Sequence, residues 1–312
     1  MIADRQADFE AALARTAEGR APEAGAAIQR ASLARDAMYR FVRNRAAVVA
    51  SLAFLLLCIL VAFVPIVRDA DPNAVDFSKQ LQGPSLAHPL GTDDFGRDLL
   101  VRTALGGRIS IGIGFVATCA IMLVGILYGA TSGFLGGIID NGMMRFLDAL
   151  YGLPYLPFAI LTLAIFGRVS FWTMVVALTV ASWFTTARVM RGQIITLKEN
   201  DYVRAANALG ARWYRILFRH LLPNTLGVIV IFVFLELPSV VLGEAFLSFL
   251  GLGIEPPQAS WGTLAEEGYN HYQTEPHMIV IPSLCISWLI ISAFFVADGL
   301  RDALDPRTRQ TF

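Results

Sequence analysis

Two carboxylates, Glu236 and Glu244, interrupt a long apolar run that begins at Leu226. A carboxylate in hydrocarbon costs about 3 kcal/mol or more, so it faces a bundle interior or a wet cavity. Eight residues apart at 100° each, the two stand about 80° apart on a helix, on neighbouring faces. One reading is a translocation path that tolerates a positively charged or zwitterionic solute. The other is a structural hydrogen bond to a neighbouring helix or, for Glu244, an outer-end position. Covalent chemistry finds no constellation. The only lysines, Lys79 and Lys198, do not follow a glycine, so there is no phosphate-binding loop and no ATPase site. The pattern Gly112, Gly114, Ala117 fits a dinucleotide fingerprint, but it lies in an apolar segment with no preceding strand. His271 and His277, near Glu275, read as a solvated loop rather than a metal site. Cys58, Cys119 and Cys285 each sit in an apolar segment as packing residues, with no disulfide or zinc framework. No cofactor, metal or nucleic-acid partner is expected, and a formal net charge of +0 implies no polyanion partner.

The elements that must position these groups are membrane helices. The chain is 55% hydrophobic and 16% charged, with mean hydropathy +0.57, the composition of a polytopic membrane protein surrounded by lipid. Six segments can cross ~30 Å of hydrocarbon: 46–67, 109–133, 143–166, 171–190, 226–251 and 279–299. Lipid offers no partner to a free backbone N–H, so each span must be helical. The fold expected is therefore an all-α membrane bundle of six transmembrane helices. Pro154 and Pro157 predict a kink in the third span. Glycines at 125, 129, 133 and 137 form an i+4 ridge that predicts a tight seam or a subunit contact.

Residues 1–32 read as a mobile cytoplasmic arm and lack the apolar core of a cleavable signal peptide; the first span would act as an uncleaved insertion signal. Residues 33–45 are basic and amphipathic, which suits an interfacial helix. The organisation expected is an arm and interfacial helix over 1–45, then one six-span domain over 46–312 with a polar loop at 191–223. Arginine and lysine crowd one side: Arg30, Arg35, Arg40, Arg43, Arg45, Arg145, seven between Arg188 and Arg219, then Arg301, Arg307 and Arg309. The loop at 252–276 has no basic residue but carries Glu255, Glu266, Glu267 and Glu275. The basic side is the cytoplasmic one, which puts both termini inside.

Within that polar loop, residues 201–224 form an arginine-rich island. Asp201 can cap a short helix; Arg204, Ala205, Ala206 and Ala208 follow, and Gly210 breaks it. A second amphipathic helix then turns Trp213, Ile216, Leu217 and His220 one way and Arg212, Arg215 and Arg219 the other. Pro223 ends that pattern.

This knuckle resembles the coupling motif of ABC importer permeases: Glu-Ala-Ala, three residues, Gly, nine residues, Ile, one residue, Leu-Pro. Ala205, Ala206, Gly210, Leu222 and Pro223 match; Arg204 replaces the Glu and His220 the Ile. Residues 88–98, HPLGTDDFGRD, resemble a signature of dipeptide, oligopeptide and nickel importer permeases, with Phe95 where Leu is usual. In that stretch Arg97 and Asp98 can pair, as a cap on the mouth of span two. Gly107-Arg108-Ile109-Ser110, residues 244–253, Pro256-Pro257 with Trp261-Gly262, and 300–307 resemble further blocks. The resemblance runs from about residue 33 to the end and implies the C-type permease of such a system, in the type I importer fold. It implies coupling to an ATPase through Asp201, Arg204, Ala205, Ala206, Gly210, Leu222 and Pro223. It also implies a homologous second permease, two ATP-binding subunits, an extracytoplasmic solute-binding protein and a peptide-like substrate, in a lipid bilayer. An alternative reading of the same spans is a secondary transporter or channel using Glu236 for ion coupling.

Overall fold

The computed structural model describes residues 33–68, 71 and 73–304. The arm expected over 1–32, and Arg307 and Arg309, lie outside the described residues. An amphipathic helix α1 (Leu33–Arg43) leads into the first apolar helix α2 (Arg45–Arg68). After an irregular segment ending at Asp98 come α3 (Leu99–Leu135), α4 (Gly137–Tyr151), α5 (Tyr155–Phe166) and α6 (Phe171–Lys198). The polar island holds α7 (Asp201–Ala208), α8 (Trp213–Ile216) and α9 (Leu222–Asn224). Then follow α10 (Leu226–Leu247), α11 (Trp261–Tyr269) and α12 (His277–Leu304). No β-strand occurs among the described residues. Five helices are long and apolar enough to cross a membrane, and the α4–α5 pair makes a sixth crossing if counted as one span.

The expected kink in span three is a break. α4 and α5 meet at 89°, because Pro154, in extended conformation, caps α5 rather than continuing α4. Pro157 bends nothing: it is the third residue of α5, where no intrahelical N–H is needed. Span two is longer than expected. α3 starts at Leu99, not 109, because Asp98 caps it, accepting from the N–H groups of Leu100 and Val101 at 2.9 and 3.2 Å. Its 37 residues extend roughly 55 Å.

The glycine ridge forms a seam within the bundle, against α6. A methyl at Gly125 would sit 2.6 Å from Thr186 Cβ, at Gly129 it would strike the Ala187 backbone, and at Gly133 it would lie 2.7 Å from the Arg191 carbonyl. Gly137 is not part of this ridge; it opens α4 with positive φ and nothing near its missing Cβ. Hydrogen bonds close the seam at the C-terminal ends of α3 and α6. Arg191 grips Asp140 of α4 through Nε and an Nη, both at 2.6 Å, and Lys198 donates to the Phe134 carbonyl at 2.7 Å.

The proline inside α2 has visible compensation. Pro65 of α2 cannot donate to the Val61 carbonyl. Arg108, exposed on α3, takes that place: Nε donates to Val61 O at 3.2 Å and Nη2 to Ala62 O at 2.5 Å.

Candidate functional site

Glu236 and Glu244 are separated by the fold. Glu236 is half-buried on a cleft of about 560 Å³, formed where the α4–α5 break, α6 and α10 meet. Tyr155, Ser182, Thr185, Glu236 and Ser239 make its polar wall; Tyr151, Leu153, Ala181 and Phe184 are the aromatic and aliphatic remainder. Gly243 leaves room for the Tyr155 hydroxyl, which would clash with any side chain there. Among the described residues no hydrogen bond or ion pair reaches the Glu236 carboxylate. It is an acceptor turned to a polar cavity.

Glu244 does not line that cleft. It is 0% exposed, and its two oxygens accept from Ser110 Oγ of α3 at 3.0 Å and Ser248 Oγ, one turn along, at 2.8 Å. Ser110 Oγ in turn accepts from the Trp261 backbone N–H at 3.0 Å, and Ser260 Oγ reaches Ser248 Oγ at 3.4 Å. The indole of Trp261, fully buried, donates from Nε1 to the Thr103 carbonyl at 2.8 Å. One carboxylate thus ties α3, α10 and the start of α11 together. α11 itself is built by a capping box between Ser260 and Thr263.

The segment between α2 and α3 is a compact cap, with pairings other than those expected. Arg97 does not pair with Asp98. Arg97 Nε donates to Asp93 at 2.7 Å, while Asp98 takes Arg68 at 2.9 Å and His88 at 3.0 Å. The reason is the helix start: one Asp98 oxygen is committed to the α3 N–H groups, and the other faces back toward α2 and His88. Burial pushes the Asp98 carboxyl up, but the bonds from His88 and Arg68 outweigh it and hold the group below the usual carboxylate range. Asp93, 1% exposed, also accepts from Arg102 at 2.6 Å, and Arg102 forks onto Glu267 of α11 at 2.6 and 3.1 Å. Sequence reasoning missed this chain. Its only sequence signal was Arg102, a basic residue one turn into a long apolar helix. His271 sits 2.8 Å from Asp94 and His277 3.5 Å from Glu275; no metal-holding group of three ligands exists among the described residues.

The polar island is a helix–turn–helix. Asp201 is exposed at the first position of α7 and makes no cap; Asn200 holds that place. Gly210, at φ 76°, ends α7 in a Schellman arrangement: Ala211 N–H donates to Ala206 O at 3.1 Å and Gly210 N–H to Asn207 O at 2.9 Å. The expected second helix is interrupted. After α8, residues Leu217–Leu221 form a π turn in which the Leu222 N–H reaches back to Leu217 O. Pro223, which cannot donate to the carbonyl four residues back, follows at once. Val203, Ile216, Leu217 and Leu221 are buried against Ala130 of α3 and Ile194 of α6. Trp213, expected on that face, is instead exposed and tilted beside Phe134 at 6.2 Å. Ala206 is half-buried against this core, Leu222 likewise, and Pro223 is exposed. The free face presents Arg204, Ala205, Gly210 and Leu209, the last 88% exposed. Leu209 was not singled out in the sequence; its position one residue before the breaking glycine was the available signal.

Residues 121–310 match the family described as binding-protein-dependent transport system inner membrane component. The chain belongs to this family. Residues 32–84 match the N-terminal TM domain of oligopeptide transport permease C. The chain is 40% identical to the oligopeptide transport system permease protein OppC of Bacillus subtilis, over 89% of this chain and 91% of that one. It is 38% identical to the dipeptide transport system permease protein DppC of the same organism, over 89% and 87%. It is 37% identical to the glutathione transport system permease protein GsiD of Pectobacterium atrosepticum, over 88% and 91%. The protein is therefore a multi-pass permease subunit of a binding-protein-dependent ABC importer and not itself the ATPase. The reading as a secondary transporter or channel is set aside.

Because Glu244 is held by two serines that have no other acid to bond, Glu244→Leu should lower the melting temperature of the purified permease. Glu244→Gln, which keeps an acceptor for one hydroxyl, should cost less. The loss expected for the leucine variant is about 1–3 kcal/mol; equal melting of both variants and the parent would remove Glu244 from the role of a tie.

Proposed function

We propose that this permease carries short peptides or related solutes inward. It works beside a homologous second permease, with two ATP-binding subunits on the cytoplasmic side and a solute-binding protein outside. The peptide reading rests on what the relatives are named for: oligopeptides, dipeptides and glutathione. Both termini and the 201–224 knuckle lie in the cytoplasm, on the arginine argument. The observation that carries the coupling role is a knuckle anchored by buried Val203, Ile216, Leu217 and Leu221 while Leu209 stands 88% exposed at its tip. A single exposed leucine is ordinary on a surface; what supports a docking role here is its place beside exposed Arg204, Ala205 and Gly210, on the face turned away from the buried anchor.

The work is done by differential binding. ATP favours the closed pair of ATP-binding subunits, and closure moves the knuckles bound to them. Asp201, Arg204, Ala205, Ala206, Gly210, Leu222 and Pro223 form this coupling element, with Ala205, Arg204 and Leu209 touching the partner and Ala206 and Leu222 holding the element to the bundle. Glu236 belongs to the solute path, as an acceptor for a peptide's ammonium group. Glu244 belongs to the frame.

Three measurements test this. Single cysteines at Glu266 and Lys198, in a chain lacking Cys58, Cys119 and Cys285, should react with an impermeant label from outside and inside respectively; outside labelling of position 198 in intact cells reverses the orientation. Ala205→Glu and Leu209→Asp should leave the permease at normal membrane levels yet abolish uptake and uncouple ATP hydrolysis from the loaded binding protein. Wild-type transport by both, with ATP-binding subunits still attached, ends the coupling proposal. Glu236→Gln should reduce peptide uptake at least tenfold, about 1.4 kcal/mol, with unchanged melting; unchanged uptake takes Glu236 off the path.

A further inference from the structure

A second concavity lies on the outside of the bundle, between α2 and α12. It has a volume of about 460 Å³. Ala46, Val49, Ala50 and Ala53 form one wall; Trp288, Ile291 and Phe295 form the other. Three alanines on one helix facing large rings on the other leave the groove open. Its apolar character is complete, because its one hydroxyl, Ser292 Oγ, donates to its own helix at Leu289 O. Trp288 Nε1 donates to Ala53 O at 3.1 Å, which fixes the indole across the deep end. From Ala46 to Ala53 the groove descends about 10 Å along α2, much of the depth of one hydrocarbon leaflet, about 15 Å.

The mouth of the groove is charged. Arg45, exposed, is the first residue of α2 and immediately precedes Ala46. Asp298, exposed, stands three residues beyond Phe295 and so continues the same stripe of α12. Gly299 packs against Ala47 and Phe41, which places this level of α12 beside the α1–α2 junction. Among the described residues neither Arg45 nor Asp298 has an ion-pair partner. Arg43 is also nearby, but it stacks over Tyr39 at 5.6 Å.

We propose that this groove binds one phospholipid whose headgroup joins a phosphate to a primary amine. One acyl chain lies along the alanines as far as Trp288. Arg45 takes the phosphate, and Asp298 takes the ammonium. An anionic headgroup would satisfy Arg45 but leave Asp298 facing a like charge; a quaternary amine would offer Asp298 no N–H donor. Arg301 and Asp302, also exposed, stand about one turn further along α12, and Arg43 is engaged with Tyr39; Arg45 and Asp298, the cation and carboxylate next to the groove in sequence, match the zwitterionic amine.

The test uses the full-length permease, purified in mild detergent with the subunits that accompany it, then equilibrated with mixed micelles of phosphatidylethanolamine, phosphatidylglycerol and phosphatidylcholine in equal amounts. Native mass spectrometry reads the lipid retained. One phosphatidylethanolamine per chain is expected. Ala53→Phe, which fills the groove, should reduce its retention at least tenfold. Arg45→Gln should reduce retention of all three lipids. Asp298→Asn, a surface change that leaves folding alone, should shift retention from phosphatidylethanolamine to phosphatidylglycerol. No retained lipid, or the same retention and preference in Asp298→Asn as in the parent, overturns the proposal. A photo-crosslinker at Val49 that captures a polypeptide of a companion subunit instead of lipid overturns it as well.

Discussion

The close approach of α3 and α6 is the constraint on which the rest depends. In lipid there is little hydrophobic gain from pairing two apolar helices, so association rests on contact and hydrogen bonds. Gly125, Gly129 and Gly133 bring the backbone of α3 against residues 183–191 of α6, leaving no space for a side chain. That spacing sets where Arg191 meets Asp140 and where Lys198 meets Phe134 O. It therefore sets the direction in which α4 leaves the seam and the platform on which the knuckle sits. The cleft holding Glu236 is bounded by α6 on one side, so its width follows from the same contact.

Much of this was legible in the sequence, for identifiable reasons. Long apolar runs leave only helices as spanning structures, so span number and approximate position followed from hydropathy. The glycine ridge announced its seam because small residues at i+4 have one physical use in a bundle. The knuckle was legible because Gly210 and Pro223 have backbone requirements that polar neighbours do not disguise. What escaped was any pairing between residues far apart in the chain. Arg97 with Asp93 rather than Asp98, and Arg102 with Glu267, 165 positions away, depend on how the segment before α3 folds against α11. Hydropathy carries no information on that. The boundary of α3 was misjudged by ten residues because its first turns contain Arg102, Thr103 and Arg108, which lower hydropathy while remaining helical. The two glutamates looked alike in sequence. Packing assigns them different surroundings, one a cavity wall and one a triad of hydroxyl-bearing helices.

The π turn at Leu217–Leu221 was likewise invisible in a pattern reading, since apolar periodicity tolerates one inserted residue. It shifts the register of everything after it by the extra residue, while Ile216, Leu217 and Leu221 stay buried.

The length of α3 has a mechanical meaning. The same unbroken helix carries Thr103, which receives the indole N–H of Trp261 of α11, and Ala130, on which the knuckle core rests. A continuous helix is stiff over such a distance, and nothing in Leu99–Leu135 breaks its hydrogen-bond ladder. A tilt of roughly 5° would displace one end relative to the other by about 5 Å. The two ends of the bundle are thus linked without any relay of small side-chain shifts. They share one strut, and a reorientation imposed at either end would be felt at the other as a rigid displacement.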